Sequence, residues 1–189
     1  MRIIAGEFRG RTLLSPESDA TRPITDRAKQ SLFDVLTPLI PDSVVYDCFA
    51  GTGSMGLECL SRGAKRATFF ERDRTAVKRL QRNIDALAVK QRSRIVSGDL
   101  FGWFESEQTC PAEAGHADIV FLDPPYRFVK ERADALRELA LRLGTHHLAP
   151  QGTVVFRHDA ADSLELGGLT RYDQREYGQM VIELLRPSL

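Results

Sequence analysis

Cysteine is scarce in this sequence: Cys48, Cys59 and Cys110 are all there is, with no C-x-x-C spacing. That leaves no disulfide framework to read and points to reduced cysteines, two of them in the core, of a cytosolic protein. Long apolar runs are missing as well. No stretch approaches the ~20 residues a membrane-spanning helix needs, and the N-terminus lacks a signal-peptide core, so a cytoplasmic protein without a membrane segment is expected. Net charge is a third absence. The 26 Lys and Arg balance 26 Asp and Glu, so no global field draws the chain to nucleic acid, and any such contact needs a local patch. His116, His146, His147 and His158 share no spacing with other ligand types, which argues against a metal site. Internal repeats and low-complexity segments are absent too. The 189 residues are therefore expected to form a single domain, 1–189, large enough for a full sheet with two helical layers.

What is present is organised around residues 117–126, Ala-Asp-Ile-Val-Phe-Leu-Asp-Pro-Pro-Tyr. The apolar run from Ile119 with its β-branched members suits a strand buried on both faces of a parallel sheet. Asp123 ends that run, and two prolines cannot continue a ladder, so the strand stops there. In open α/β sheets this carboxyl edge is where ligands bind. The carboxylate of Asp123 and the carbonyl of Pro124 are pure acceptors, and Tyr126 offers a flat face. Two acceptors beneath a ring make a receptor for a planar group carrying an NH2. An isolated Asp-Pro-Pro would more simply be a tight turn, but the added aromatic and a Gly-rich loop upstream favour chemistry.

Along the chain, residues 1–20 read as an N-terminal extension and 21–189 as the core. Arg2-Ile-Ile-Ala and Arg11-Thr-Leu-Leu, joined by Gly6-Glu-Phe-Arg-Gly10, suggest a small β-hairpin. With Arg9 and Arg11 around Phe8 it is either a solvated edge or a nucleic-acid-facing platform. Thr25 caps a helix expected over 26–37, with Ala28, Leu32, Val35, Leu36 and Leu39 as its apolar stripe. Placed before the first strand, this helix can cover the sheet edge, and its start, with Arg22, Thr25 and Arg27, can reach a cofactor site.

Residues 44–47 form the first core strand, followed by Gly51-Thr-Gly53-Ser-Met-Gly56 and a helix to about residue 62 with Gly63 after it. The three glycines allow close backbone approach to a ligand, and the helix start favours an anionic group. Such a G-x-G-x-x-G equally describes a dinucleotide fold. Asp47 discriminates, since a carboxylate there attracts an ammonium and repels a pyrophosphate. A second strand over 66–70 ends in Glu71, suited to ribose hydroxyls. A helix over 75–88 buries Val77, Leu80, Ile84 and Leu87 and turns out a basic face with Arg74, Lys78 and Arg82. The third strand over 94–97 ends at Gly98-Asp99-Leu100, where Asp99 can hold an adenine amino group. Beyond 117–126, a helix over 129–143, a strand over 152–157 and strands over 170–177 and 179–185 are expected, with no full helix in 159–168. Trp103 is most simply a packing residue.

Val-Tyr-Asp-Cys-Phe-Ala-Gly-Thr-Gly53, Phe-Glu71, Gly-Asp99 and Leu-Asp-Pro-Pro-Tyr126 occur in the order found in class I S-adenosylmethionine-dependent methyltransferases that modify exocyclic amino groups. More narrowly, Arg-Ile-Ile-Ala-Gly-Glu-Phe-Arg-Gly-Arg11, Arg22-Pro-Ile-Thr-Asp-Arg-Ala-Lys-Gln-Ser-Leu-Phe33 and Gly56-Leu-Glu-Cys-Leu-Ser-Arg-Gly-Ala64 resemble the RsmD-type family, which methylates N2 of a guanine in bacterial 16S rRNA. The likeness runs nearly end to end and is weakest around 109–115 and 159–168.

That resemblance implies a Rossmann-like α/β sheet of order 3-2-1-4-5-7-6 with the last strand antiparallel. It implies that Asp47, Phe49, Gly51 and Gly53 hold the methionine part of S-adenosylmethionine, Glu71 with Arg72 the ribose side, and Asp99 with Leu100 the adenine. Asp123 and Pro124 would accept the two N–H bonds of the target amine, and Tyr126 would stack on the base. Arg9, Arg11, Arg22, Pro125, Arg127 and Phe128 are the expected RNA-facing residues; Arg9, Arg11, Arg127 and Phe128 would form one basic rim if the hairpin folds over the carboxyl edge, with the basic face of Arg74, Lys78 and Arg82 as its rival. The implied partner is 16S rRNA within a small-subunit particle. Adenine-N6, cytosine-N4 and protein glutamine share the amino group and stay open as targets. An NAD-dependent oxidoreductase is disfavoured by Asp47, and a non-catalytic RNA-binding domain by Asp123 with its prolines and ring.

Overall fold

The strand β1 (Val44–Cys48) is buried at every position, as a strand covered on both faces must be. In the computed structural model, which describes residues 1–15, 24–106 and 116–188, it lies at the centre of one sheet. Its companions are β2 (Arg66–Glu71), β3 (Ser93–Ser97), β4 (Ala117–Leu122), β5 (Leu148–Asp159), β6 (Leu169–Tyr177) and β7 (Met180–Pro187). Their order is β3-β2-β1-β4-β5-β7-β6, with β7 antiparallel to both β5 and β6, as the resemblance implied.

Alternation along the strands supplies both helical layers. Val45, Phe69, Phe121 and Val155 face α1 (Asp26–Leu36), α2 (Ser54–Ser61) and α3 (Arg74–Ala86). Tyr46, Phe70, Val120 and Phe156 face α4 (Leu100–Ser106), α5 (Phe128–Glu131) and α6 (Ala133–Arg142). Each face therefore buries its own apolar cluster, which at roughly 25 cal/mol per Å² is what holds the layers together.

Register sets the site. Phe70, Cys48, Leu122 and Phe156 lie level across β2, β1, β4 and β5. One residue further, at the carboxyl edge, the same four strands deliver Glu71, Phe49, Asp123 and Arg157.

Four local expectations need correction. The helix expected over 129–143 is two helices broken at Arg132, whose φ of −132° and ψ of 33° leave the helical region. The Arg132 guanidinium lies 4.0 Å over the Phe101 ring, a contact between neighbouring helices of one layer that periodicity cannot show. Residues 100–106 form a helix where none was expected, held by an aromatic cluster of Phe70, Trp103 and Phe104 with ring separations of 4.6 to 5.1 Å. The first helix covers a sheet face and not its edge: Phe33 packs 5.9 Å from Phe121.

The N-terminal hairpin, last, is a strap with a single Arg2–Thr12 bridge. It runs along α2, with Ile4 and Ala5 N–H groups donating to Glu58 at 2.8 and 3.0 Å. Its loop then reaches the far end of that helix, where Glu7 N–H donates to the Ser61 carbonyl at 2.7 Å. Beneath the strap, Lys29 donates to Ser54 Oγ at 3.0 Å and pairs with Glu58 at 3.0 Å, while Arg62 pairs with the same carboxylate at 2.8 Å. Burial works to raise the Glu58 pKa, but Lys29, the Ile4 N–H and Arg62 bring it below the ordinary carboxylate value. Removing one member of so buried a set costs about 3–5 kcal/mol.

Candidate active site

Between β1 and α2 the chain turns sharply. Phe49 has φ +63° and Gly51 and Gly53 have φ +56° and +78°, the left-handed region that glycine enters without strain. The turn is sewn down at three points: Ala50 N–H to the Phe70 carbonyl at 2.9 Å, Gly51 N–H to Glu71 Oε2 at 2.8 Å and Gly56 N–H to Asp47 Oδ2 at 2.9 Å. The glycines do different work. A Cβ on Gly53 would lie 2.4 Å from Leu80 Cδ1, and one on Gly56 2.4 Å from the Phe69 ring. Gly53 therefore serves the packing against α3 and Gly56 that of α2 on β2, whereas a Cβ on Gly51 would meet open space, so of the three only Gly51 presents its Cα toward ligand space.

Asp47 is buried at the tip of β1, and burial, reinforced by the nearby Asp123 and Glu71 and opposed by the Gly56 N–H, pushes its pKa up to about 8. A buried acid so disposed favours a cation beside it, since a positive charge would restore its ionised form. Glu71 is fixed by the N–H groups of Gly51 and Asp73, each at 2.8 Å. Each of its oxygens keeps a lone pair for a ligand hydroxyl.

A shallow cleft opens over these strand tips, walled by Phe49, Glu71, Arg72, Asp99, Leu100 and Phe128. Asp99 caps the start of α4 through the Gly102 N–H at 3.2 Å. Phe49 packs edge-on against Phe101 at 5.9 Å and Phe128 at 6.0 Å. Flat apolar walls with carboxylates at the tips of β2 and β3 suit a nucleoside whose hydroxyls and amino group need acceptors. The expected cofactor residues at 47–53, 71–72 and 99–100 are thus brought together. Phe128, expected to face RNA, is instead a buried wall of this cleft.

Next to the cleft, the chain leaves β4 through Asp123, Pro124 and Pro125. The Pro125 and Tyr126 carbonyls are taken by the N–H groups of Phe128 and Val129, at 2.8 and 3.1 Å; the Pro124 carbonyl is not engaged in this turn. Asp123 Oδ1 accepts from Arg157 Nε at 2.6 Å, the two side chains being 20% and 13% exposed. The Arg157 guanidinium also lies 5.9 Å over the Tyr126 ring. Burial raises the Asp123 pKa, and Arg157 opposes the rise. Arg157 was missed. Its signal is a charge directly after the apolar run of β5, the same pattern that marks Glu71 and Asp123.

The remaining candidates are scattered. Thr25 uses its hydroxyl to accept from Ala28 N–H at 3.2 Å, capping α1, and Arg27 is exposed nearby. Arg22 lies outside the described residues. The loop carrying Arg9 sits at the far end of α2, so the structure does not join Arg9 and Arg11 with Arg127 into one rim. Arg127 is exposed beside Glu131 at 3.6 Å. Cys48 and Cys59 are core residues, Cys110 lies outside the described residues, and Trp103 packs as expected. Among the described residues no helix is long and apolar enough to cross a membrane, and no cluster of metal-binding side chains occurs.

A family model described as "Conserved hypothetical protein 95" matches residues 1–186. "Ribosomal RNA small subunit methyltransferase D" of Haemophilus influenzae is 41% identical over 129 residues, 68% of this chain and 65% of that protein. The matched stretch thus spans just under two thirds of that relative's length. "Putative rRNA methyltransferase YlbH" of Bacillus subtilis is 32% identical over 180 residues, 94% of each chain. Among solved structures, "Putative methyltransferase yhhF from Escherichia coli" superimposes with a TM-score of 0.82 at 30% identity, covering 100% of this chain and 99% of that one. The chain therefore belongs to the Conserved hypothetical protein 95 family, the family of the small-subunit rRNA methyltransferase D proteins.

Proposed function

We propose that this protein is an S-adenosylmethionine-dependent methyltransferase acting on an exocyclic amino group, N2 of a guanine in 16S rRNA. The observation that carries the reading is the pair of acceptors, Asp123 and Pro124, on a proline-fixed turn beside Tyr126, one strand from the cleft. The names of the Haemophilus influenzae and Bacillus subtilis relatives support RNA as the substrate class.

The residues fit the cofactor. Asp47, a buried acid favouring a cation, suits its ammonium; Glu71 suits the ribose hydroxyls; Asp99 suits the adenine amino group. Bound S-adenosylmethionine supplies an electrophilic methyl group on a sulfonium. The protein's task is then geometric, because an aromatic amine has its lone pair delocalised into the ring. Asp123 and Pro124 accept the two N–H bonds and turn the lone pair out of the ring plane toward the methyl carbon. Once methylated, the nitrogen would shed one of the two protons that Asp123 and Pro124 hold, to solvent. Holding two reactants in line in this way is worth on the order of 7–11 kcal/mol. The Asp123 charge also stabilises positive charge growing on nitrogen.

Docking of an overall neutral protein needs a local patch. Residues 65–94 supply one, with ten Lys and Arg against three Asp and Glu. Its outward part on α3, with Arg74, Lys78 and Arg82, begins beside Arg72 at the lip of the cleft. This surface is the better platform for a small-subunit particle, since the strap's loop points away from the mouth. A cytoplasmic location follows from that substrate.

Mass spectrometry of 16S rRNA nucleosides from cells with and without the gene tests the proposal. Loss of one N2-methylguanosine on deletion is expected. An unchanged nucleoside profile, or loss of a different methylated nucleoside, overturns the guanine assignment.

A further inference from the structure

The proposed reaction assigns no role to Arg157, yet this side chain is built into the site. It follows the apolar run of β5 as Asp123 follows that of β4, and register places both one step beyond the level pair Leu122 and Phe156. The Nε–H donates to Asp123 Oδ1 at 2.6 Å, Nη1 lies 3.8 Å from Met180 Sδ on β7, and the guanidinium lies 5.9 Å over Tyr126. Met180, the pair and the ring thus fix the guanidinium from three sides. Among the described residues no donor bonds Asp123 Oδ2, which is left for a ligand.

We propose that Arg157 is a positioning residue: it clamps Oδ1 of Asp123 and keeps the group a carboxylate, so that Oδ2 accepts from the target amine. The inference rests on the proposed methyl transfer and deepens it. The physical need is specific. An amine that must present its lone pair to an electrophile offers two N–H donors and requires acceptors. A protonated carboxyl would place its own O–H donor there. Burial pushes Asp123 toward that protonated form, and Asp47 on the neighbouring strand adds like charge whenever it is ionised. The titratable and charged groups facing Asp123 are Arg157 on β5, Asp47 on β1 and Tyr126 on its own turn, and Arg157 is the cation among them. A guanidinium is suited to this work because it stays charged at any physiological pH and its planar fork holds one carboxylate orientation.

Two readouts test the clamp. The first needs no reaction: the Asp123 carboxyl is titrated by ¹³C NMR of the ligand-free protein, assigned by difference with Asp123→Asn. In Arg157→Met its pKa is expected to rise by about one to three units, and in Arg157→Lys, which keeps the charge, by less than about one. The second is methyl transfer to small ribosomal subunits from cells lacking the gene, measured from pH 6 to 9. The methionine variant should lose about 100-fold in kcat at neutral pH, recover part of it as pH rises, and bind S-adenosylhomocysteine within about two-fold of wild type; the lysine variant should restore the acid limb. If Arg157→Met does not fold, Arg157→Gln takes its place in both arms. An Asp123 pKa unmoved by loss of Arg157, or a kcat loss independent of pH, overturns the proposal. Failure of the wild type to methylate any RNA overturns the reaction instead, and the NMR arm still decides the clamp.

Discussion

Asp47 and Asp123 stand at the tips of neighbouring strands, and burial pushes both carboxyl groups toward the neutral form. Their partners differ. Asp47 accepts from the Gly56 N–H, and burial outweighs both that bond and the charge of Lys29, so its pKa stands at about 8. Asp123 is met by a guanidinium supplied from β5. With no cation hydrogen-bonded to it among the described residues, the first acid suits the ammonium of a cofactor that arrives and leaves. Already held as an acceptor, the second suits an amine that must find its orientation at once. On the proposed reading, two acids of one type in one edge divide binding from orientation by what lies beside each.

Breaking the Asp123 side should give the largest effect. Asp123→Ala removes one of the two acceptors and is expected to lower methyl transfer by about 10³-fold or more. S-adenosylhomocysteine affinity by calorimetry should stay within about two-fold. The variant also leaves Arg157 buried without its carboxylate, so its melting temperature should fall, and Asp123→Asn, which still accepts from Arg157, should fall less.

Breaking the cofactor side at Glu71 comes next. Glu71→Ala frees the N–H groups of Gly51 and Asp73 and removes a ribose acceptor. Weakening of cofactor binding by about 10- to 100-fold is expected, roughly 1.4–2.7 kcal/mol, with kcat at saturating cofactor nearly kept. A kcat loss without a change in affinity would place Glu71 with Asp123 and dissolve the division.

Sharpening the comparison at Asp47 uses pH. Because its pKa is raised, the stability it contributes is fully present below the unfolded value of about 3.9 and is lost as pH rises through about 8. Stability of the ligand-free protein should therefore decline across that window, and Asp47→Asn should flatten the decline, read by denaturant melts at a series of pH values. Cofactor binding near neutrality should release a proton from wild type and none from the variant, read by calorimetry in buffers of different ionisation enthalpy. Equal slopes in the two proteins would remove Asp47 as the ammonium partner.

The smallest effect belongs to the surface. Replacing Arg74, Lys78 and Arg82 with Ala should raise KM for the small-subunit particle several-fold and flatten its salt dependence, since each neutralised phosphate releases condensed counterions. Replacing Arg9 and Arg11 should change little. Loss of salt dependence only in the Arg9 and Arg11 variant would return the docking role to the strap.

The sheet order was legible through the family resemblance, and the resemblance rests on motif order: an acid ending each of three apolar runs and a double proline after the last. Those signals are local. Arg157 was not legible as the partner of Asp123, nor Lys29 as that of Glu58, because each pair joins segments distant in the chain and only the fold makes them neighbours. Lys29 occupies an inward position of α1, a place where periodicity expects an apolar residue and a charge reads as solvent-facing. Arg132 breaks an otherwise helical pattern, and its contact with Phe101 on α4 is one that no proline or glycine announces. The strap's two apolar runs predicted a turn, but not that the turn would lie at the far end of α2, because Glu58 and Ser61, which fix its direction, read as ordinary helix residues.

The division between the two acids is tested most directly by comparing Asp47→Asn and Asp123→Asn in one single-turnover experiment. Methyl-labelled S-adenosylmethionine is supplied at concentrations saturating for each variant, with small ribosomal subunits from cells lacking the gene as acceptor. The account predicts that Asp47→Asn needs more cofactor to saturate and then transfers at close to the wild-type rate. Asp123→Asn should saturate as wild type does and transfer far more slowly. A slow Asp47→Asn at saturation together with an Asp123→Asn of normal rate would contradict it.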